Sequence, residues 1–78
     1  MGTNNKVIKI GSKVVYRGCF GTFPPKEAVV LGIAQSNYKR DKDGYPVNYI
    51  SFADREYATF DLDDGHWCYG EQIDSVIE

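Results

Sequence analysis

The 78-residue sequence has few cysteines, a single histidine and no long hydrophobic run. Cys19 and Cys68 lie far apart without a second pair, which argues against a disulfide-rich scaffold and against a four-ligand zinc site. No apolar stretch reaches the roughly 18 residues that cross a bilayer, and segment 1–10 lacks the hydrophobic region of a secretory signal. We therefore expect two free thiols, no contact with membranes and a cytoplasmic location.

The sequence also lacks an excess of basic charge. Nine Lys and Arg residues stand against eleven Asp and Glu residues, a net charge of −2, whereas nucleic-acid-binding domains are usually basic. The motifs of serine hydrolases, zinc proteases and P-loop proteins are missing as well. We expect a protein that is not an enzyme and that uses neither a cofactor nor a metal ion.

Aromatic and β-branched residues, by contrast, are plentiful and favour strands over helices. Residues 1–5 are expected to be a disordered start, and 6–78 a single domain. The predicted elements are a first strand over 6–17 interrupted at Gly11-Ser12, strands over 27–36 and 47–53, a hairpin over 57–70, a 3₁₀ turn over 71–74 and a last strand over 75–77.

The strand predicted over 27–36 is apolar on both faces. Regular alternation places Val29, Leu31 and Ile33 on one side, and Ala28, Val30 and Gly32 on the other. A strand that is apolar on both sides belongs in the middle of a sheet.

The hairpin pattern depends on the turn Asp64-Gly65, a pair that suits a two-residue type I′ turn. This turn pairs Leu62 with Trp67. The face predicted to be buried then carries Phe60, Leu62, Trp67 and Tyr69, and the face predicted to be exposed carries Asp61, Asp63, His66 and Cys68. His66 and Cys68 are too far apart on a regular strand for a nucleophile and its base, and a solvated face is favoured over a metal site there.

Two segments resemble known families. Residues 10–16 (IGSKVVY) resemble the start of Tudor, KOW and related SH3-like domains, and residues 60–65 (FDLDDG) resemble their hairpin motif. The resemblance implies an all-β, five-stranded SH3-like barrel with a 3₁₀ turn before the last strand. It also implies a binding module: Tudor-like members hold methylated Lys or Arg in an aromatic cage, and KOW-like members contact RNA or ribosomal and transcription proteins. The compact style is similar to that of small bacterial and phage-type proteins.

Surplus aromatic residues in two loops are the candidate binding groups. A barrel of this size cannot bury all of its rings, and exposed aromatic side chains on a rigid scaffold often dominate an interface. We predict that Phe20 and Phe23, in the loop 18–26, and Tyr38 and Tyr45, in the loop 37–46, bind a protein partner. Half-buried tyrosines whose hydroxyls reach water are the structural alternative.

RNA or single-stranded DNA is the second candidate ligand. Lys39, Arg40 and Lys42 could contact phosphates while neighbouring tyrosines stack on bases, although Asp41 and Asp43 cancel much of the local charge. A monomer is expected, or a weak homo-oligomer in which the surplus aromatic residues meet their own copies.

Overall fold

A computed structural model describes residues 6–18 and 22–77, and these residues form an all-β fold, as the sequence predicts. The strands are β1 (Val7–Lys9), β2 (Lys13–Arg17), β3 (Pro25–Gln35), β4 (Tyr45–Val47), β5 (Tyr49–Ser51), β6 (Ala58–Leu62), β7 (Trp67–Tyr69) and β8 (Ile73–Val76). Two 3₁₀ turns, Phe52–Tyr57 and Gly70–Gln72, precede β6 and β8. No helix in the described ranges is long and apolar enough to cross a membrane. The predicted disordered start, 1–5, lies outside the described residues.

The strands pair in an antiparallel manner in two groups. The larger sheet has the order β7-β6-β3-β2-β8, with β4 also paired to β3, and β1 pairs with β5 in a separate ribbon. Within residues 6–18 and 22–77 the sheets do not close, so a five-stranded barrel is not confirmed. The first strand is interrupted at Gly11, as predicted, and the φ of this glycine is +94°. The strand predicted over 47–53 is instead divided between β4 and β5 at Asn48.

Strand β3 pairs with β2, β4 and β6, which confirms its central position. Its regular alternation is interrupted, because the register with β6 shifts between Val30 and Gly32 and leaves Leu31 as an extra residue. A bulge of this kind changes which side chains share a face. Val30 and Ile33 are both buried whereas Leu31 is 59% exposed. The predicted grouping of Leu31 with Ile33 is therefore wrong.

The turn between β6 and β7 contains three residues, 63–65, rather than two. The N–H of Gly65 donates to the carbonyl of Leu62 over 3.2 Å, and the N–H of Leu62 donates to the carbonyl of His66 over 2.9 Å. Gly65 has a φ of +88°. A turn of the type I kind followed by a left-handed glycine is a common three-residue connection, and it shifts the pairing by one position.

This shift turns the side chains of β7 to the opposite face from the one predicted. Cys68 lies opposite Phe60, and both are completely buried. Trp67 lies opposite Asp61 and is 46% exposed. The predictions that Trp67 is a core residue and that Cys68 faces solvent are both wrong, and Tyr69 is half-buried on the outer face.

The 3₁₀ turn predicted over 71–74 is found at Gly70–Gln72, and β8 follows it directly instead of starting at 75. The side-chain amide of Gln72 donates to the carbonyl of Arg17 over 2.8 Å, which ties the turn to β2. The core lies between the sheets. Its largest fully buried side chains are Tyr16, Phe60, Ile8 and Ile73.

Candidate functional site

Trp67 and Phe23 both line a small surface pocket. The pocket has a volume of about 100 Å³ and is lined by Tyr16, Gly18, Phe23, Lys26, His66 and Trp67. Phe23 is 57% exposed, and its N–H donates to the carbonyl of Gly18 over 3.2 Å. The three-residue turn brings Trp67 to this position, because it turns the odd-numbered side chains of β7 outward. Two large aromatic side chains are therefore offered to solvent around one cavity.

A partly exposed polar network adjoins the pocket through Tyr16 and Lys26. The hydroxyl of Tyr16 donates to Oδ2 of Asp64 over 2.5 Å, and Nζ of Lys26 lies 3.1 Å from the same oxygen. Lys26 is also 5.5 Å from the centre of the Tyr16 ring. These contacts join β2, β3 and the β6–β7 turn, so the residues of the network hold one another in place.

The charges of the network follow from its contacts. Partial burial raises the pKa of Asp64, but hydrogen bonds from Tyr16 and the N–H of His66, together with the ammonium of Lys26, outweigh it and hold the pKa at about 2. Burial and the carboxylate raise the pKa of Tyr16, and the same carboxylate raises the pKa of Lys26. Asp64 and Lys26 therefore form a compensated ion pair near neutral pH.

The neighbouring Asp63 fixes the turn against β3. Its Oδ1 accepts a 3.0 Å hydrogen bond from the N–H of Val29, and its own N–H donates to the carbonyl of Val29 over 3.0 Å. This reciprocal pair fixes the turn that precedes β7, the strand on which Trp67 lies.

The three basic residues of the middle loop lie over an aromatic row on the outer surface. Lys39 is 5.9 Å from the ring centre of Tyr57, Arg40 is 5.8 Å from that of Tyr69, and Lys42 is 5.2 Å from that of Trp67. The rings of Trp67 and Tyr69 meet edge to face at 5.1 Å. Such contacts contribute about 0.5–1 kcal/mol each at exposed sites.

Two of these cations also have acidic partners. Nζ of Lys39 lies 3.0 Å from Glu56, and the guanidinium of Arg40 contacts Glu71. Glu56 raises the pKa of Lys39, and Arg40 lowers the pKa of Glu71. The loop therefore presents less uncompensated charge than its sequence suggests.

The loop is also bonded to itself. The hydroxyl of Ser36 donates to Asp41 over 2.5 Å, and the N–H of Asp43 donates to the same carboxylate over 2.9 Å. The hydrogen bond from Ser36 lowers the pKa of Asp41 most, and the hydrogen bond from the N–H of Asp43 lowers it further. Asp41 thus serves to shape the loop.

The structure brings together only part of the predicted site. Phe23 lines the pocket, whereas Phe20 lies outside the described residues. Tyr38 and Tyr45 are exposed, at 72% and 55%, but they are not among the described residues that line this pocket. The two predicted loops nevertheless meet at Trp67, which lines the pocket and also lies under Lys42.

Sequence reasoning missed Trp67 and His66 as members of the site, whereas Lys26 belongs to the predicted binding loop but was not named as a binding residue. The missing signal was the turn: reading 63–65 as a three-residue connection would have placed Trp67 outside. The contact of Lys26 with Tyr16 depends on the pairing of β2 with β3.

The grouping of Cys68 with Asp61, Asp63 and His66 on one face is wrong. Cys68 faces the core, and burial, together with the charge of Asp64, raises its pKa to about 12. A thiol in this environment is neither a nucleophile nor a metal ligand at neutral pH.

A second, wider groove lies on the β1–β5 ribbon. It is lined by Val7, Lys9, Ile10, Asn48 and Tyr49, has a volume of about 600 Å³ and is open to solvent. It shares no lining residue with the pocket at Trp67.

Comparison with known proteins does not assign a family. No protein-family model matches the chain, and no curated protein or solved structure matches it at a significant level.

Proposed function

We propose that this chain is a small SH3-like domain that binds a protein partner through Trp67 and Phe23. The observation that carries the proposal is that these two large, exposed aromatic side chains line one pocket, which also includes the hydrogen-bonded Tyr16. Exposed Trp and Phe side chains that converge on one cavity are typical of interaction surfaces.

The order of the elements supports the SH3-like assignment. Strands β2, β3, β6, β7 and β8 follow one another with a long connection after β2, a tight hairpin between β6 and β7, and a 3₁₀ turn before β8. In the sheet, β8 returns to pair with β2. Strands β4 and β5 are then an elaboration of the connection between β3 and β6.

The hydrogen bonds and the ion pair that order the residues around the pocket favour a binding role over a purely structural one. The Tyr16, Asp64 and Lys26 network and the Asp63 contacts hold the walls before a partner arrives. A surface that is already ordered loses less conformational entropy on binding. Buried aromatic anchors in such pockets often contribute about 2 kcal/mol or more to affinity.

A binding role without catalysis is the remaining part of the proposal. It is supported by the burial of Cys68, which separates the thiol from the exposed His66. The free thiol of Cys68 suits a reducing cytoplasm. We propose a monomer, or a weak homo-oligomer, as the binding species.

RNA or single-stranded DNA is the weaker candidate ligand. The exposed rings of Tyr38 and Tyr45 beside the basic loop favour it. The ion pairs of Lys39 with Glu56 and of Arg40 with Glu71 oppose it, because phosphate binding would have to displace these carboxylates.

Site-specific photo-crosslinking tests the proposal. A photoreactive phenylalanine at position 23 is compared, in the producing cells, with the same residue at position 31. Leu31 is a matched control because it is 59% exposed, close to the 57% of Phe23, and is not among the pocket residues. We expect a discrete protein product from position 23 only, and a nuclease-sensitive product would replace the proposal with the nucleic-acid candidate.

The identified partner is then titrated with purified variants. Trp67→Ala and Phe23→Ala should each weaken binding by roughly tenfold or more, and Leu31→Ala should not. Thermal unfolding of each variant checks that the fold is kept. Equal affinity for all three variants would rule out this surface.

A further inference from the structure

Lys42 differs from the other cations around the aromatic surface. Lys26, Lys39 and Arg40 each form an ion pair with a carboxylate. Lys42 lies 5.2 Å from the ring centre of Trp67, and no carboxylate in residues 6–18 and 22–77 comes within ion-pair distance of it. Lys42 is therefore a cation that has no ion-pair partner among the described residues and lies directly beside the exposed indole.

The acidic residue nearest in register does not compensate that charge. Asp61 is paired with Trp67 across β6 and β7. Its carboxylate leans toward the other neighbouring strand, where Oδ2 would lie 3.1 Å from a Cβ placed on Gly32 of β3. The negative charge of Asp61 is thus directed away from the β7 side on which Trp67 lies.

The pocket itself limits what can enter. A volume of about 100 Å³ accommodates one side chain rather than the face of a helix, since an apolar cavity of about 150 Å³ holds a single benzene ring. A carboxylate that contacts Lys42 lies within about 8 Å of the Trp67 ring, the distance spanned by neighbouring residues or by residues two apart in an extended peptide.

We infer that the partner is an extended peptide segment in which one apolar side chain lies one or two residues from an Asp or Glu. The apolar side chain enters between Phe23 and Trp67, and the carboxylate pairs with Lys42. The inference rests on the proposed function, and it adds the chemistry of the partner. A single cation without an ion-pair partner suits one carboxylate, whereas a nucleic-acid strand presents a phosphate at every nucleotide and requires several cations.

A phage-displayed library of random 12-residue peptides, selected on the folded chain, tests the inference. Trp67 is the only tryptophan, so its fluorescence reports directly on binding of each synthesised peptide. The strongest peptide is made in two forms, with its acidic residue kept or replaced by the matching amide. Both are titrated by fluorescence against wild type, Lys42→Gln and Lys42→Arg, and a single-stranded RNA 12-mer is titrated in parallel. Because Trp67→Ala has no indole, isothermal titration calorimetry measures its binding and that of wild type.

We expect the selected peptides to be enriched in Asp or Glu next to an apolar residue. The acidic form should bind wild type about two- to fivefold more tightly than the amide form, as one exposed ion pair allows. The preference for the acidic form should persist in Lys42→Arg and disappear in Lys42→Gln. Trp67→Ala should bind neither form of the peptide.

The contrary outcomes separate the two proposals. Peptides that require Trp67 but show no acidic preference would overturn the inference and leave the proposed function standing. A preference that survives in Lys42→Gln would overturn the assignment to Lys42. An absence of any peptide that alters Trp67 fluorescence would contradict both proposals, and tighter binding of the RNA would favour the nucleic-acid candidate.

Discussion

The hydroxyl of Tyr16 donates a 2.5 Å hydrogen bond to Oδ2 of Asp64, across 48 positions of the sequence. Tyr16 is 1% exposed and belongs to β2, whereas Asp64 belongs to the turn between β6 and β7. The contact therefore joins β2 to the hairpin that β6 and β7 form. Tyr16 also lines the pocket at Trp67, so the stability of the fold and the shape of the candidate site depend on the same pair.

The first prediction concerns the pH dependence of stability at Asp64. Its pKa falls from 3.8 to about 2 on folding, and its side chain is 24% exposed. A lowered pKa contributes stability that is complete above the unfolded value and disappears as the pH falls toward 2. We expect Asp64→Asn to lower the free energy of unfolding by about 2 kcal/mol at pH 7.

Urea unfolding of wild type and Asp64→Asn from pH 7 to pH 2 measures this difference. The two free energies should approach each other as the pH falls from 4 to 2. Tyr16→Phe should lose part of the same stability, and the double variant should lose less than the sum of the single changes, because the groups share one hydrogen bond. Asp54→Asn, in the exposed 3₁₀ turn, is the control. A constant difference at all pH values would show that the carboxylate is not stabilised by folding.

The second prediction concerns the reactivity of Cys68. With a pKa of about 12, the thiol is almost entirely protonated at pH 8, and its complete burial keeps reagents away from it. In a Cys19→Ser background, we expect modification by a thiol reagent at pH 8 to be slower than in urea by on the order of a thousandfold. Absorbance of the released chromophore gives both rates. Rapid modification of the folded protein would show that Cys68 lies on the surface, as the two-residue turn predicts.

Local patterns in the sequence predicted much of the fold, because strand limits and turns depend largely on residues that are neighbours in the chain. The limits of β2, the break at Gly11 and the 3₁₀ turn before the last strand were all readable in this way. The hairpin register was not. An Asp-Asp-Gly turn is compatible with two or three loop residues, and the contacts that accompany the longer loop join Asp63 to Val29 and Asp64 to Tyr16. Those partners are distant in sequence.

The candidate site was only partly predictable for the same reason. Loop composition indicated Phe23 as a candidate binding residue, and the structure shows that its side chain is 57% exposed. The bulge at Leu31 and the shifted position of Trp67 depend on how strands pair, which hydrophobic alternation does not encode. The ion pairs of Lys39 and Arg40 join residues far apart in the chain, so the charge pattern of the loop alone overstated its availability to phosphates.

The third prediction contrasts two glycines. A Cβ on Gly70 would lie 1.5 Å from the carbonyl oxygen of Arg55, whereas one on Gly65 would meet nothing within 4 Å. Gly65 instead requires a positive φ, which costs other residues about 1–2 kcal/mol. We expect Gly65→Ala to destabilise by this amount and Gly70→Ala by at least about 3 kcal/mol. Urea unfolding gives both values, and equal losses would contradict the close approach at Gly70.

The fourth prediction concerns Arg40, which has a φ of +58° although it is not a glycine. Its guanidinium contacts Glu71 and lies over the ring of Tyr69. Arg40→Ala and Arg40→Gly both remove these contacts, but only glycine relieves the backbone strain. We expect the glycine variant to be more stable than the alanine variant by about 0.5–1 kcal/mol, after the greater freedom of glycine in the unfolded chain is subtracted.

Lys39 provides the matched control for this comparison, because it lies in the same loop and is not among the described residues with positive φ. At position 39 the usual order should hold, with Lys39→Ala at least as stable as Lys39→Gly. Thermal unfolding of the four variants at one pH and salt concentration compares the two positions. If alanine is also the more stable replacement at position 40, the left-handed backbone of Arg40 is not populated in solution, and its contact with Tyr69 is then held by another loop conformation.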